Sequence, residues 1–147
     1  MVNVIGKNIS KRKATAQATM FLGKEIVKLL NGSEILTKKG PVFQTAIIAG
    51  IQAVKKTSDL IPMCHPLPLD GIDIKIEFLD DDRIGIFCTV EMEGKTGVEM
   101  EALSGASIAS LTVYDMCKAI SQKMVIQNIM VLEKTGGKSD VLNSALK

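Results

Sequence analysis

The clearest periodicity in the chain lies in its middle. GIDIKIEFL (71–79) alternates without a break, with Ile72, Ile74, Ile76 and Phe78 on one face and Asp73, Lys75 and Glu77 on the other. DDDR (80–83) turns the chain and IGIFCTVEM (84–92) alternates again, which predicts a β-hairpin. KATAQATMFL (13–22) alternates more loosely and predicts a strand with Thr and Ala on successive faces. In VFQTAIIAGIQAVKKTSDL the period changes to that of a helix, and Phe43, Ile47, Gly50 and Val54 form a stripe. This helix is expected to begin near Pro41, because proline is tolerated in a first turn. Gly50 within the stripe implies close approach of a neighbouring element. A second long helix, rich in Ala, Ser and Leu and containing Gly105, is predicted from about Val98 to Ile120. MVIQNIMVLEK (124–134) reads as a last strand.

Shorter segments read less sharply. GKEIVKLLNG (23–32) predicts a short helix closed by Asn31-Gly32, SEILTKKG a loop, and TGGKSDVLNSALK a mobile tail. Strands that segregate from long apolar helices predict an α+β two-layer sandwich with a mostly antiparallel sheet. At 147 residues the chain is expected to form a single domain, 1–147, with mobile ends over 1–11 and 136–147.

Composition narrows the function classes. The chain is 46% hydrophobic and 23% charged, with 18 basic against 16 acidic residues, a net charge of +2. That balance does not argue for nucleic acid, and four Phe, one Tyr and no Trp leave little for base stacking. Cys64, Cys88 and Cys117 are widely spaced and odd in number, which predicts free thiols in a reducing compartment. MVNVIGKNISKRK lacks the apolar core of a secretory signal, and AIIAGIQAV is too short and too interrupted to span a bilayer. A cytoplasmic protein with no membrane partner is the expectation.

Several groups are candidates for chemistry, each with a plainer alternative. DLIPMCHPLPL (59–69) holds the only histidine, His65, between Pro62, Pro66 and Pro68. One histidine without neighbouring ligands makes no metal site. The loop is either a stiffened carrier of one donor or an ordinary turn, and Cys64 suits a small buried residue better than a nucleophile. Lys39-Gly40-Pro41 precedes a helix N-terminus, where anions are favoured, or is a solvated loop. Lys55 and Lys56 close the same helix, where they suit its dipole. Thr96 and Glu99 match a capping box. Glu99 and Glu101 share a side if 98–101 is extended and diverge by about 200° if it is helical. Asp115 and Lys118 stand three residues apart on a face that also holds Ile108 and Leu111. They are therefore either a partly buried pair whose lysine is shifted by desolvation or a surface ion pair. Lys11-Arg12-Lys13 suits phosphate or a solvated strand edge. GKT (94–96) and GGKS (136–139) fail as P-loops, since Thr89 and Leu132 stand where the first glycine is required. No serine triad, metal cluster or dinucleotide fingerprint is visible. Lysines with carboxylates suit acid–base work on an anionic, phosphorylated small molecule. A nucleotide-binding module without chemistry remains open at this level.

GPVFQTAIIAGIQAVKKTSDLIPMCHPLPL, GKTGVEMEALSGASIASLTVYDMCKA and LEKTGGKS together resemble the molybdenum cofactor biosynthesis protein C family, the cyclic pyranopterin monophosphate synthases, from about Arg12 to Ser139. The resemblance implies a ferredoxin-like subunit in a homohexamer, a trimer of dimers with active sites at the dimer interface. It implies a lyase that converts the cyclised dihydro-GTP intermediate, 3',8-cyclo-7,8-dihydro-GTP, to cyclic pyranopterin monophosphate with release of pyrophosphate. By motif, Lys39 (K-G-x-V-F) and Lys118 with Asp115 (Y-D-M-C-K) resemble the acid–base residues. Met63, Cys64 and His65, and Glu99, Met100 and Glu101, resemble substrate-binding loops, and Arg12, Lys55 and Lys134 resemble phosphate contacts or their support. No cofactor is required by the sequence, although magnesium is compatible with such a substrate. Two positions depart from the family pattern: Pro41 where Asp is usual after Lys-Gly, and Ile47 where Arg is usual.

Overall fold

A computed structural model describes residues 1–144. Its backbone is an antiparallel sheet of five strands covered on one face by two long helices. The main elements run β1 (Ser10–Phe21), α2 (Val42–Lys55), β5 (Gly71–Phe78), β6 (Arg83–Gly94), α4 (Glu99–Cys117) and β7 (Val125–Thr135). Between β1 and α2 lie a four-residue helix, α1 (Lys24–Val27), and a small sheet of β2 (Leu30–Asn31), β3 (Glu34–Thr37) and β4 (Gly40–Pro41). A second four-residue helix, α3 (Thr57–Leu60), follows α2, and β8 (Val141–Leu142) adds an edge to β7. The βαββαβ succession with sheet order β5-β6-β1-β7-β8 is the ferredoxin-like arrangement.

The alternation of the sequence becomes the two faces of this sheet. In β1 the side chains of Ala14, Ala16, Ala18 and Met20 are fully buried in the core. Small alanines there let α4 lie close to the sheet. On the opposite face Thr15 and Thr89 join β1 to β6 through a 2.9 Å hydroxyl hydrogen bond. The β5–β6 hairpin forms in the expected register, with Ile72 opposite Val90 and Phe78 opposite Ile84.

Two glycines set the helix layer. A Cβ on Gly50 would lie 3.0 Å from the Gly105 carbonyl oxygen and 2.5 Å from Ile74 Cδ1. A Cβ on Gly105 would lie 2.5 Å from Cys88 Sγ and 2.6 Å from Val54 Cγ2. The missing side chains let α2 meet α4 and seat α4 on β6, as the buried stripe through Gly50 implied.

Three local expectations are corrected. The helix foreseen over 23–32 stops at Val27. Leu30 and Asn31 pair instead with Ile35 and Glu34, and Gly32 takes a positive φ of 63° in the intervening turn. Asn-Gly thus turns a hairpin rather than closing a helix. SEILTKKG is not a loop: its Ile35 is fully buried and its first half is β3. Nor do Thr96 and Glu99 make a capping box, because the helix is capped by Val98 without a side-chain bond and Glu99 is its first helical residue. In the C-terminal stretch Val141 pairs with Lys134, and Asn143 Nδ2 donates to the Val131 carbonyl. Residues 145–147 lie outside the described residues.

Candidate active site

Helix α4 carries candidate residues at both ends. Its nineteen residues put Glu101 and Asp115 about 21 Å apart along the axis, at 1.5 Å per residue.

At the C-terminal end, Asp115 accepts from two lysines. Lys118 Nζ lies 2.7 Å from Oδ1, and Lys39 Nζ lies 2.7 Å from Oδ2. Lys39 also donates to the Asp115 main-chain carbonyl at 2.9 Å, so one ammonium holds both the side chain and the helix terminus. Lys39 arrives from the turn between β3 and β4, where its amide donates to Thr37 Oγ1 and Gly40 takes φ 111°. That turn is fixed to α2 by Glu34, whose carboxylate accepts from the amides of Phe43 at 2.8 Å and Gln44 at 3.0 Å. The free amides expected to bind an anion beside Lys39 are therefore already capped, and Lys39 faces Asp115 instead. The pair of lysine bonds, that to Lys118 first, holds the Asp115 carboxyl down at about 2. The same contact raises Lys118. Partial burial with a lysine shifted by desolvation is thereby corrected: the three side chains are about half exposed, and Leu111 on the same face is exposed. In the trio both Asp115 carboxylate oxygens are held by lysine side chains.

At the N-terminal end the helical alternative holds for the two glutamates, and they diverge. Glu101 is 4% exposed and lines a narrow cleft with His65, Lys55 and Thr57. Burial raises its carboxyl, the bond to its own amide opposes this, and the charge of Glu99 adds to the rise. Cys64, beside His65, has its thiol raised by burial and then by Glu101. Met63 and Met100 stand exposed. Lys55 thus joins the histidine loop, away from Arg12.

Glu99 points into a separate cavity of about 660 Å³ with Arg12 and Lys134. Lys134 Nζ bonds Glu99 Oε1 at 2.9 Å, and Arg12 Nε donates to the Gly94 carbonyl at 3.2 Å. Burial pushes the Glu99 carboxyl up, but Lys134 together with its own amide and Arg12 outweighs this and leaves it lowered. The cavity also collects Lys7, Lys95 and Lys138, which spacing alone did not group with Arg12. The signal for the last two was present in the two glycine–lysine segments.

The remaining thiols are not nucleophiles in this state. Burial, followed by the charge of Asp73, pushes Cys88 up to about 12, and burial with Glu34 nearby pushes Cys117 up to about 11. All three cysteines are free. Among the described residues no three His, Cys, Asp or Glu are grouped to hold a metal, and no helix is long and apolar enough to cross a membrane.

Comparison with known proteins places this arrangement. The profile of the MoaC family matches residues 1–137. A molybdenum cofactor biosynthesis bifunctional protein of Synechocystis sp. is 53% identical over 150 residues, 99% of this chain and 43% of that protein. Molybdenum cofactor biosynthesis protein 1 of Dictyostelium discoideum is 47% identical over 155 residues, 95% of this chain and 25% of that protein. This chain therefore spans less than half the length of both. A cyclic pyranopterin monophosphate synthase of Campylobacter jejuni subsp. doylei is 51% identical over 140 residues, 95% of this chain and 88% of that protein. The match of profile and relatives over nearly the whole chain, on the elements that carry Lys39, His65, Glu101 and Asp115, shows that the chain belongs to the MoaC family.

Proposed function

We propose that the chain is a cyclic pyranopterin monophosphate synthase of molybdenum cofactor biosynthesis. It acts on 3',8-cyclo-7,8-dihydro-GTP and releases pyrophosphate. The observation that carries the reading is the Lys39–Asp115–Lys118 cluster, with both carboxylate oxygens held by ammonium groups at 2.7 Å. Simple phosphate binding does not call for an ionised aspartate between two lysines. A reaction that opens and closes rings does, because protons must be given and recovered at fixed positions. Lys118, with its proton held by Asp115, is a donor in the resting site. It turns into a base only after giving that proton up. Lys39 faces the other oxygen and supplies positive charge as phosphate is transferred. Glu101, a buried carboxyl with a raised proton affinity, suits exchange with a polar edge of the base, and His65 on its proline-stiffened loop positions it. Met63, Cys64, Lys55 and Met100 flank this contact, and Arg12, Lys134 and the Lys134-bound Glu99 serve the phosphate end. These residues do not fit a resident magnesium ion, since the Asp115 oxygens are taken by lysines.

The separation of about 21 Å along α4 is too long for one small nucleotide to use both ends of the same helix. Two copies remove the difficulty if the Asp115 end of one meets the Glu101 and Arg12 end of the other. This supports a homo-oligomer with its site between subunits; the family resemblance alone extends that to a hexamer built as a trimer of dimers in a cytoplasmic enzyme. The test is pyrophosphate release from the cyclised nucleotide, followed by complementation. Lys118→Ala and Arg12→Ala proteins, each inactive alone, are unfolded, mixed and refolded together. Recovery of part of the wild-type turnover is expected. A wild type that releases no pyrophosphate from the authentic substrate overturns the synthase assignment, and a mixture as inactive as its components overturns the shared site.

A further inference from the structure

Helix α2 begins without a cap of its own. Its N-cap is Pro41, whose ring cannot accept a hydrogen bond, and its first turn carries no acidic residue. Pro41 is also one of the two departures from the family pattern, where Asp is usual. An aspartate at an N-cap accepts the first-turn amides by itself. Here Glu34, on β3, accepts them instead, Oε1 from Phe43 at 2.8 Å and Oε2 from Gln44 at 3.0 Å. We propose that Glu34 is the positioning residue for Lys39, its carboxylate supplying across the β3–β4 hairpin the cap that Pro41 cannot give. The inference rests on the synthase reading, in which Lys39 serves the reaction. It adds a residue that lies outside every segment carrying the resemblance.

The hairpin that presents Lys39 has a short ladder. β4 is two residues long, and its pairing with β3 consists of Leu36 opposite Pro41 and Thr37 opposite Gly40. Proline has no amide proton to give to that ladder. Within the turn the Lys39 amide donates to Thr37 Oγ1 at 3.2 Å, and Thr37 Oγ1 donates to the Gly40 carbonyl at 3.4 Å. These bonds shape the tip without fixing where it stands. Glu34 fixes the base. Its Oε1 also accepts from the Ile35 amide at 2.7 Å, next to an Ile35 side chain that is fully buried.

Three amides from β3 and α2 thus converge on one carboxylate, whose charge meets the positive end of a fourteen-residue helix. With the base held, Lys39 Nζ reaches both Asp115 Oδ2 at 2.7 Å and the Asp115 carbonyl at 2.9 Å. Glu34 and Lys39 also act together on Cys117, which α4 carries between Asp115 and Lys118. After burial, Glu34 pushes that thiol up and Lys39 pulls it down, so both charges stand beside the end of the helix. Glu34 acts through Lys39 rather than on the reacting atoms.

The test measures pyrophosphate release from the cyclised nucleotide by wild type, Glu34→Ala, Glu34→Gln and Glu34→Ala combined with Pro41→Asp. Each is assayed at a temperature where unfolding scans show it folded, and the Asp115 carboxyl is titrated in each by carbon NMR. Glu34→Ala is expected to lower kcat roughly tenfold to a hundredfold, the scale of a misplaced catalytic group, with KM little changed. Asp115, held at about 2 by Lys118 and then Lys39, should titrate higher once Lys39 leaves it. Glu34→Gln, which keeps one acceptor oxygen, should fall between the two, and it carries the comparison if Glu34→Ala does not fold. Restoring a local cap with Pro41→Asp should return kcat and the Asp115 titration most of the way to wild type. A wild-type kcat in Glu34→Ala overturns the positioning role and leaves the synthase reading standing. So does a combined variant whose unfolding midpoint recovers while its kcat does not. A wild type that releases no pyrophosphate, beside an Asp115 that shifts in Glu34→Ala and returns in the combination, upholds the positioning of Lys39 and overturns the synthase reading.

Discussion

Asp115 and Glu101 are carboxylates at opposite ends of one helix, and their surroundings push them in opposite directions. Asp115 is exposed and owes its low value of about 2 to direct bonds from Lys118 and Lys39. Glu101 is buried and owes its raised value to lost hydration. An exposed carboxylate is drawn well below its ordinary value only by partners that touch it. A buried one has its proton affinity raised, first by lost hydration and then by a like charge nearby. One helix thus offers a firmly ionised carboxylate at one end and a carboxyl of raised proton affinity at the other, the kind of contrast that separates base and acid roles.

The comparison is broken most severely at its exposed end. Asp115→Asn removes the acceptor for both lysines and should lower turnover by about a hundredfold or more, the scale of one acid–base group. Because the site is exposed, the loss of stability should be small beside the loss of turnover; wild-type turnover in this variant would refute the role given to the cluster. Gly105→Val attacks what the two ends share, the seating of α4. Its side chain would enter the space of Cys88 Sγ and Val54 Cγ2, and chemical denaturation should show a loss of about 1–3 kcal/mol. Glu34→Ala removes the carboxylate that caps α2 and anchors the Lys39 turn. It should cost about 1 kcal/mol and lower turnover with it; a change in stability alone would separate the cap from the site.

The smallest effect is the most specific. The folded pKa of Glu101 lies above its ordinary 4.5, so its ionisation weighs against the fold as pH rises through 4.5 and fully so above the raised value. Glu101→Gln should therefore gain stability over wild type as pH rises through that window, with little difference below it. Asp115 has the opposite sign. Its contribution is present above 3.8 and is lost as pH falls through about 2. Unfolding curves of Asp115→Asn and Glu101→Gln against pH should separate the two. Parallel curves would mean that the environments do not differ as described.

The exposed and buried ends were not equally legible in the sequence. The alternation of 71–79 and 84–92 dictated a hairpin because one residue of slip would turn every isoleucine to water. Gly50 and Gly105 announced close packing because little else excuses glycine inside a helix. The spacing of Asp115 and Lys118 put them on one face, but the arrival of Lys39 depends on a hairpin whose strands are too short to show a period. The cap from Glu34 escaped for the same reason, since it crosses from a strand to a helix and matches no local pattern. The burial of Glu101 depends on where the proline loop folds back. Arg12, Lys95, Lys134 and Lys138 meet because β1 lies between β6 and β7, a neighbour relation that only the sheet order supplies.

Helix α4 also acts as a ruler. One residue inserted between Glu101 and Asp115 would turn its far end by about 100° and advance it by about 1.5 Å. That would carry Asp115 away from Lys39 while leaving every side chain chemically intact. The spacing between those two carboxylates is thus a heritable dimension, as constrained as the residues themselves. The turn Asp80–Asp82 carries no candidate site residue, and drift in chain length among descendants of this fold can accumulate there without cost to the chemistry.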